Sequence, residues 1–253
     1  MSAAWAANVT ASELLGGRVQ CLQPARGYRT AIDPVFLAAA VPARPGDRAL
    51  DVGTGSGAAA FCLAARVPGV RVSGLELQPA LADLARTGAA ANAFAVPVEI
   101  VAGDILDPPP GCPPGGFDHV MANPPYMRAG EGNPPAEPAA RVATIEGRAR
   151  LADWLDFCFQ RACAGGTVTV VHRAERAAEI GALMAAAGAG YRVLPLLPKS
   201  GRAAKRVLVQ ARKGVAGDAV TLPGLVLHAA DGAYTAAADA VLRDADDLLL
   251  SMP

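Results

Sequence analysis

The chain has 253 residues, 52% hydrophobic and 18% charged, with 23 basic residues balanced by 23 acidic ones and a pI near 6.8. That suits a single globular domain, and no apolar stretch approaches the ~20 residues that a membrane-spanning helix needs. The neutral balance argues against broad, non-specific nucleic-acid binding.

In chain order, strand-like and helix-like segments alternate, which predicts an α/β fold with a mostly parallel sheet. Arg48–Val52 reads as a strand ending in a glycine-rich turn, and 56–66 as a helix. A second strand follows at 70–75, and a second helix at 79–94 with proline in its first turn. Strands are expected at 98–101 and 117–122. A Pro/Gly-rich stretch then runs from Asn123 to Gly147, longer than ordinary connections and therefore expected to be functional or disordered. Beyond it come a helix at 151–163, a strand at 167–171, an Ala-rich helix at 174–187, and a terminal strand pair at 191–197 and 206–210.

Residues 199–213, which join and extend that last pair, carry six basic side chains (Lys199, Arg202, Lys205, Arg206, Arg212, Lys213) and no acidic one. Taken alone, such a run reads first as a solvated hairpin that resists edge aggregation, with phosphate contact as the other reading. The five cysteines form no CxxC pair and read as reduced core thiols, while the three histidines lie far apart. No metal site is expected. The N-terminus MSAAWAANVT lacks the basic start and apolar core of a secretory signal, so a cytoplasmic protein is expected.

Two stretches carry chemistry. The first is DVGTGSG, Asp51 to Gly57, between a predicted strand and a predicted helix. Glycines there allow close backbone approach to a ligand, and the helix N-terminus favours its polar groups. Glu76 closes the second strand, where an acid can grip ribose hydroxyls, and Asp104 follows the third. Three acids along the carboxyl edge of the sheet would repel a pyrophosphate. S-Adenosylmethionine has no phosphate and a cationic sulfonium, so the acids favour it over a nicotinamide. The second stretch is Asn123-Pro124-Pro125-Tyr126, which ends the fourth strand on two residues unable to donate to a ladder.

The glycine turn, Glu76 and Asp104 together resemble the motifs of class I methyltransferases, which implies a Rossmann-like seven-stranded sheet with an antiparallel C-terminal strand pair. Asn-Pro-Pro-Tyr resembles the catalytic motif of amino-group methyltransferases. An exocyclic amino nitrogen is a poor nucleophile, because its lone pair is delocalised. An asparagine carbonyl and a backbone carbonyl held by rigid prolines can accept its two N–H bonds and direct the lone pair at the methyl group. Tyr126 offers a face for a planar base to stack on.

Gly17–Pro42 (with Gln23, Pro24, Gly27, Tyr28, Arg29, Ile32 and Asp33), Ala204–Gly214 and Leu225–Thr235 are similar to the bacterial tRNA1(Val) adenine-N6 methyltransferases. That resemblance implies an N-terminal unit, 1–46, in which a strand pair and helix pack on a methyltransferase domain, 47–253. It implies catalysis by Asn123, Pro124, Pro125 and Tyr126. The cofactor would be held by Asp51, Gly53, Thr54, Gly55, Gly57, Glu76, Leu77, Asp104, Ile105 and Asn123, joined by Tyr28 and Asp33. Arg26, Arg29, Arg128, Lys199, Arg202, Lys205 and Arg206 would contact tRNA. The substrate would be an adenosine beside the anticodon, and S-adenosylhomocysteine the second product. Oligomeric state is left open, with a monomer favoured. Three alternatives remain at this point: a release-factor glutamine-N5 methyltransferase, a DNA adenine methyltransferase, and a non-catalytic cofactor- or RNA-binding scaffold.

Overall fold

A computed structural model of the protein describes residues 9–25, 32–128, 130–131, 138–248 and 250; of residues 138–140 it describes the backbone alone. Tyr28, Arg26 and Arg29 lie outside the described residues.

The N-terminal segment forms an antiparallel hairpin of β1 (Val9–Leu14) and β2 (Val19–Pro24), followed by α1 (Asp33–Ala40). Every residue of α1 is buried. There follow β3 (Arg48–Val52), α2 (Ala58–Arg66), β4 (Arg71–Glu76), α3 (Pro79–Ala91), β5 (Glu99–Ala102) and β6 (Phe117–Ala122). After the long Pro/Gly-rich segment, which contains α4 (Pro138–Thr144), come α5 (Leu151–Arg161), β7 (Ala162–Arg173), α6 (Ala177–Ala186), β8 (Tyr191–Lys199) and β9 (Arg206–Arg212). Two short strands, β10 (Val220–Thr221) and β11 (Leu225–His228), precede α7 (Ala236–Asp239).

The main sheet has the order β5-β4-β3-β6-β7-β9-β8. Its first five strands are parallel, and β9 runs antiparallel between β7 and β8. Among the described residues the sheet has nine strands where seven were expected, because β10 and β11 both pair in parallel with the outer side of β8. Their pairing covers backbone groups that a terminal strand would otherwise expose.

The period-2 alternation of strands divides the core between the two faces. Leu50, Val52, Val120, Ala122, Val168 and Val170 pack with α5 and α6. Ala49, Met121 and Val171 pack on the other face with α1 and α2, in a cluster that also takes in Leu15 and Val19 of the N-terminal segment. Two helix ends differ from expectation for local reasons. Gly57 has φ 93° and lies outside α2, whose first residue is Ala58. Asn92 stops α3 in an extended conformation while its side chain exchanges two hydrogen bonds with the backbone of Gln20 on β2.

The parallel strands bring the glycine turn, the end of β4, the start of the Asn-Pro-Pro-Tyr segment and the end of β7 to one carboxyl edge. Because β9 is antiparallel, its first residues reach the same edge, with Arg173 opposite Arg206.

Candidate active site

The glycine turn hangs from its neighbours by backbone and carboxylate bonds. Gly53 and Thr54 both donate to the carbonyl of Leu75, at 2.8 and 2.9 Å. Asp51 is buried, and its Oδ2 accepts from the Thr54 hydroxyl at 2.7 Å and from the Ala60 N–H, in the first turn of α2, at 3.2 Å. Burial pushes its carboxyl up from 3.8 to about 6, against the pull of those two donors. Asp51 therefore couples strand, turn and helix from within. Gly55 is different: its φ is +59°, and a Cβ built there would meet nothing within 4 Å. The turn thus presents backbone to open space at the position where a ligand would approach it.

Glu76 faces the same space. Its Oε2 accepts from the Gly55 N–H and its Oε1 from the Gln78 N–H, each at 2.8 Å, so each oxygen keeps lone-pair capacity for a hydroxyl donor. Burial raises the pKa of the Glu76 carboxyl, and backbone N–H bonds from Gln78, Gly55 and Leu77 oppose that rise. Leu77, immediately beyond, is 52% exposed, large for an aliphatic side chain. Asp104 lies just past β5 and has Oδ1 on the Leu106 N–H at 2.9 Å, with Arg148 3.8 Å from Oδ2. Ile105 beside it is half-buried and packs against the core cluster of the α5–α6 face. This set of acids, exposed backbone and apolar side chains, with no basic residue in the turn, fits a ribose-bearing, phosphate-free, cationic cofactor.

Asn123 begins the segment after β6. Its Oδ1 is buried and accepts no hydrogen bond among the described residues. An unmet buried acceptor costs about 1–3 kcal/mol, so it marks a place where a donor is expected. Pro124 and Pro125 are buried behind it. β6 and β7 pair Ala122 with Val170, so His172, two residues on, comes level with Pro124. Its Nε2 donates to the Pro125 carbonyl at 3.2 Å. Burial lowers the pKa of this imidazole to about 4, keeping it neutral at pH 7.

Tyr126 is enclosed on several sides. Its hydroxyl donates to Asp33 Oδ2 at 2.8 Å, its ring lies 5.1 Å from that of His172 at 67°, and the Arg206 guanidinium stands over it, 4.5 Å from the centroid. Arg206 Nε also donates to Asp33 Oδ2, at 3.0 Å. The segment closes on itself just beyond: Met127 accepts from Glu146 and donates to Thr144, and buried Glu146 is held by Arg176 at 2.8 Å. Trp154 of α5 packs over Gly53 so closely that a Cβ there would lie 2.5 Å from its ring.

The structure thus gathers Asp51, Gly53, Thr54, Gly55, Gly57, Glu76, Leu77, Asp104, Ile105 and the Asn-Pro-Pro-Tyr stretch along one sheet edge. Asp33 and Arg206 were expected to touch cofactor and RNA separately, but they meet each other at Tyr126. Arg128 is exposed yet paired with Glu179 at 2.7 Å and with Glu131 at 3.6 Å. Lys199 ends β8, its Nζ donating to the Ala230 carbonyl at 3.2 Å, and Arg202 and Lys205 lie in the β8–β9 turn. Sequence reasoning missed His172, Glu146 and Trp154. For His172 the signal was present, since it directly follows the stretch of strong β-propensity at 167–171.

Among the described residues no group of three or more His, Cys, Asp or Glu is placed to hold a metal ion. No helix among them is long and apolar enough to cross a membrane.

A family model for the methyltransferase small domain matches residues 31–137, from the start of α1 past the Asn-Pro-Pro-Tyr segment. The chain is 30% identical over 207 residues to a tRNA1(Val) (adenine(37)-N6)-methyltransferase of Aeromonas hydrophila, a match covering 80% of this chain and 84% of that protein. A relative of the same description from Porphyromonas gingivalis is 43% identical over 82 residues, a stretch spanning only 32% of its length. A release factor glutamine methyltransferase of Chlorobaculum tepidum is 40% identical over 83 residues, 28% of its length. Among solved structures, a protein described as a predicted O-methyltransferase from Agrobacterium tumefaciens superposes with a TM-score of 0.72 at 25% identity, covering 87% of this chain and 100% of that one.

Proposed function

The chain belongs to the family of tRNA1(Val) (adenine(37)-N6)-methyltransferases, and from that premise we propose that it methylates the exocyclic N6 of an adenosine beside the anticodon of a tRNA. S-Adenosylmethionine is the cofactor and supplies an electrophilic methyl group on a sulfonium. The protein's part is to bind, orient and exclude. Glu76 would hold the ribose hydroxyls with its remaining lone pairs, Asp104 would accept from the adenine, and the Gly53–Gly57 turn would line the rest.

The observation that carries the reading is the buried, unmet Oδ1 of Asn123 at the end of β6. It can accept one N–H of an amino group. The second acceptor would be the Pro124 carbonyl, since His172 already occupies that of Pro125. Two acceptors in place before substrate arrives fix the nitrogen and favour a lone pair directed at the methyl group. No side chain need remove a proton first, because the amino proton becomes acidic once the fourth bond forms. His172 donates through Nε2 to Pro125, and burial, by lowering its pKa to about 4, makes it a poor proton acceptor, so its part is to orient.

An adenine in a stacked helix could not reach this edge, whereas a base in a single-stranded loop can be splayed out. Lys199 at the end of β8, with Arg202 and Lys205 in the turn that follows it at the same edge, would meet the flanking phosphates. Arg26, Arg29 and Arg128 are further candidates, Arg128 only by leaving its glutamates. A neutral chain with a local basic patch implies binding restricted to that face, and a cytoplasmic location follows from the substrate.

The test is methyl transfer from labelled cofactor to bulk tRNA followed by nucleoside analysis. N6-Methyladenosine is the expected product. Methylglutamine in a release factor, with no modified nucleoside, would overturn the proposal.

A further inference from the structure

We propose that Arg206, Asp33 and His172 are positioning residues that hold Tyr126 in one orientation at the mouth of the transfer site. The proposal rests on the methyl-transfer reading and adds to it three residues from three separate elements: α1, β7 and β9. Tyr126 follows two prolines, which offer no N–H to fix the segment. Its side chain is only half-buried. Left to itself the ring would sample several rotamers, and a target base would have to order it on binding.

Three contacts remove that freedom. Asp33 Oδ2 takes both the Tyr126 hydroxyl, at 2.8 Å, and Arg206 Nε, at 3.0 Å, so the two donors are set relative to each other by one shared oxygen. The Asp33 side chain is 9% exposed and needs a counter-charge, which makes the pair an obligate one. The planar guanidinium then lies over the phenol ring, a geometry that a lysine ammonium cannot reproduce. His172 fixes the backbone from beneath through the Pro125 carbonyl and sets its own ring at 67° to that of Tyr126. Arg206 is therefore not a free phosphate contact, and one face of Tyr126 is already covered before any base arrives.

The experiment compares R206K, D33N, Y126F, Y126A and the double variant R206K/Y126A. R206K keeps a cation and loses the plane. The expected result is a kcat about tenfold or more below wild type, in line with the steep cost of small misplacements, with an unchanged dissociation constant for S-adenosylmethionine. Y126F, which keeps the ring and loses the bond to Asp33, should fall similarly, as should D33N. R206K added to Y126A should lower kcat no further, because the residue being positioned is gone. Wild-type kcat in R206K with only a shallower salt dependence of tRNA binding would make Arg206 a phosphate contact and overturn the proposal. So would multiplicative losses in the double variant. If the wild-type protein methylates no nucleoside, the functional reading fails on its own. The positioning is then tested by urea unfolding midpoints of R206K, Y126F and their combination, where additive shifts overturn it and non-additive shifts uphold it.

Discussion

Glu76→Gln isolates what the acid at the end of β4 does. In the free protein Oε2 accepts from the Gly55 N–H and Oε1 from the Gln78 N–H, both at 2.8 Å. Glutamine supplies a single carbonyl oxygen, and its NH2 then faces a donor. One of the two backbone bonds is lost, along with acceptor capacity for one ribose hydroxyl. A hydrogen bond to a charged group contributes about 1.5–3 kcal/mol, so cofactor affinity should fall roughly 10- to 150-fold. Glu76→Ala removes all the acceptors and should fall at least as far. Calorimetric titration with S-adenosylmethionine and S-adenosylhomocysteine reads the effect, and both ligands should weaken alike because they share the ribose. Unchanged affinity in a folded Glu76→Gln protein would refute the assignment. A loss confined to one of the two ligands would mean that Glu76 senses the sulfonium charge and not the diol.

Asn123→Ala should lower kcat by about 10²–10³-fold, by analogy with loss of one preorganised oxyanion-hole donor, read by single-turnover kinetics at saturating cofactor. Replacing Arg202 and Lys205 together should make the salt slope of tRNA binding shallower by about 1.4–1.8, at roughly 0.7–0.9 per phosphate contact; an unaltered slope returns the turn to solvated surface. Asp51→Asn tests the buried acid by pH. With a folded-state pKa of about 6 against an ordinary 3.8, the folded protein binds the proton more tightly. Wild-type stability should therefore decline from this source as pH rises from about 4 to 6, by about 3 kcal/mol. Urea unfolding across that range should show the variant gaining on wild type as pH rises and a constant difference above it. A constant difference throughout would mean that Asp51 titrates normally.

The parts of the site that could be read from sequence are those whose chemistry dictates adjacent residue types. Asp51 to Gly57 and Asn123 to Tyr126 are contiguous, and Glu76 and Asp104 follow from strand endings. The surroundings of Tyr126 could not be read this way. His172 and Arg206 meet there because the β6–β7 and β7–β9 registers align their ends, and Asp33 is brought to them by the start of α1; register and helix packing are both tertiary properties. The same limit explains Arg206, which in sequence is one of six like charges and in space is the partner of a buried aspartate. The strand expected at 167–171 is shorter than β7, which starts at Ala162, directly after α5, and runs through Gly165, whose N–H bonds the Lys213 carbonyl, a long-range contact with no local signal. The two extra edge strands are too short to carry a periodic signal of their own.

The central claim is that an unmet acceptor at Asn123 and a cofactor grip at Glu76 combine to methylate an adenine amino group in tRNA. Nucleoside analysis of bulk tRNA after incubation with the protein and methyl-labelled S-adenosylmethionine tests it most directly. The account predicts label in N6-methyladenosine, mapped to the position next to the anticodon and lost in Asn123→Ala. Label in any other nucleoside, in protein glutamine, or retained in full by Asn123→Ala would contradict it.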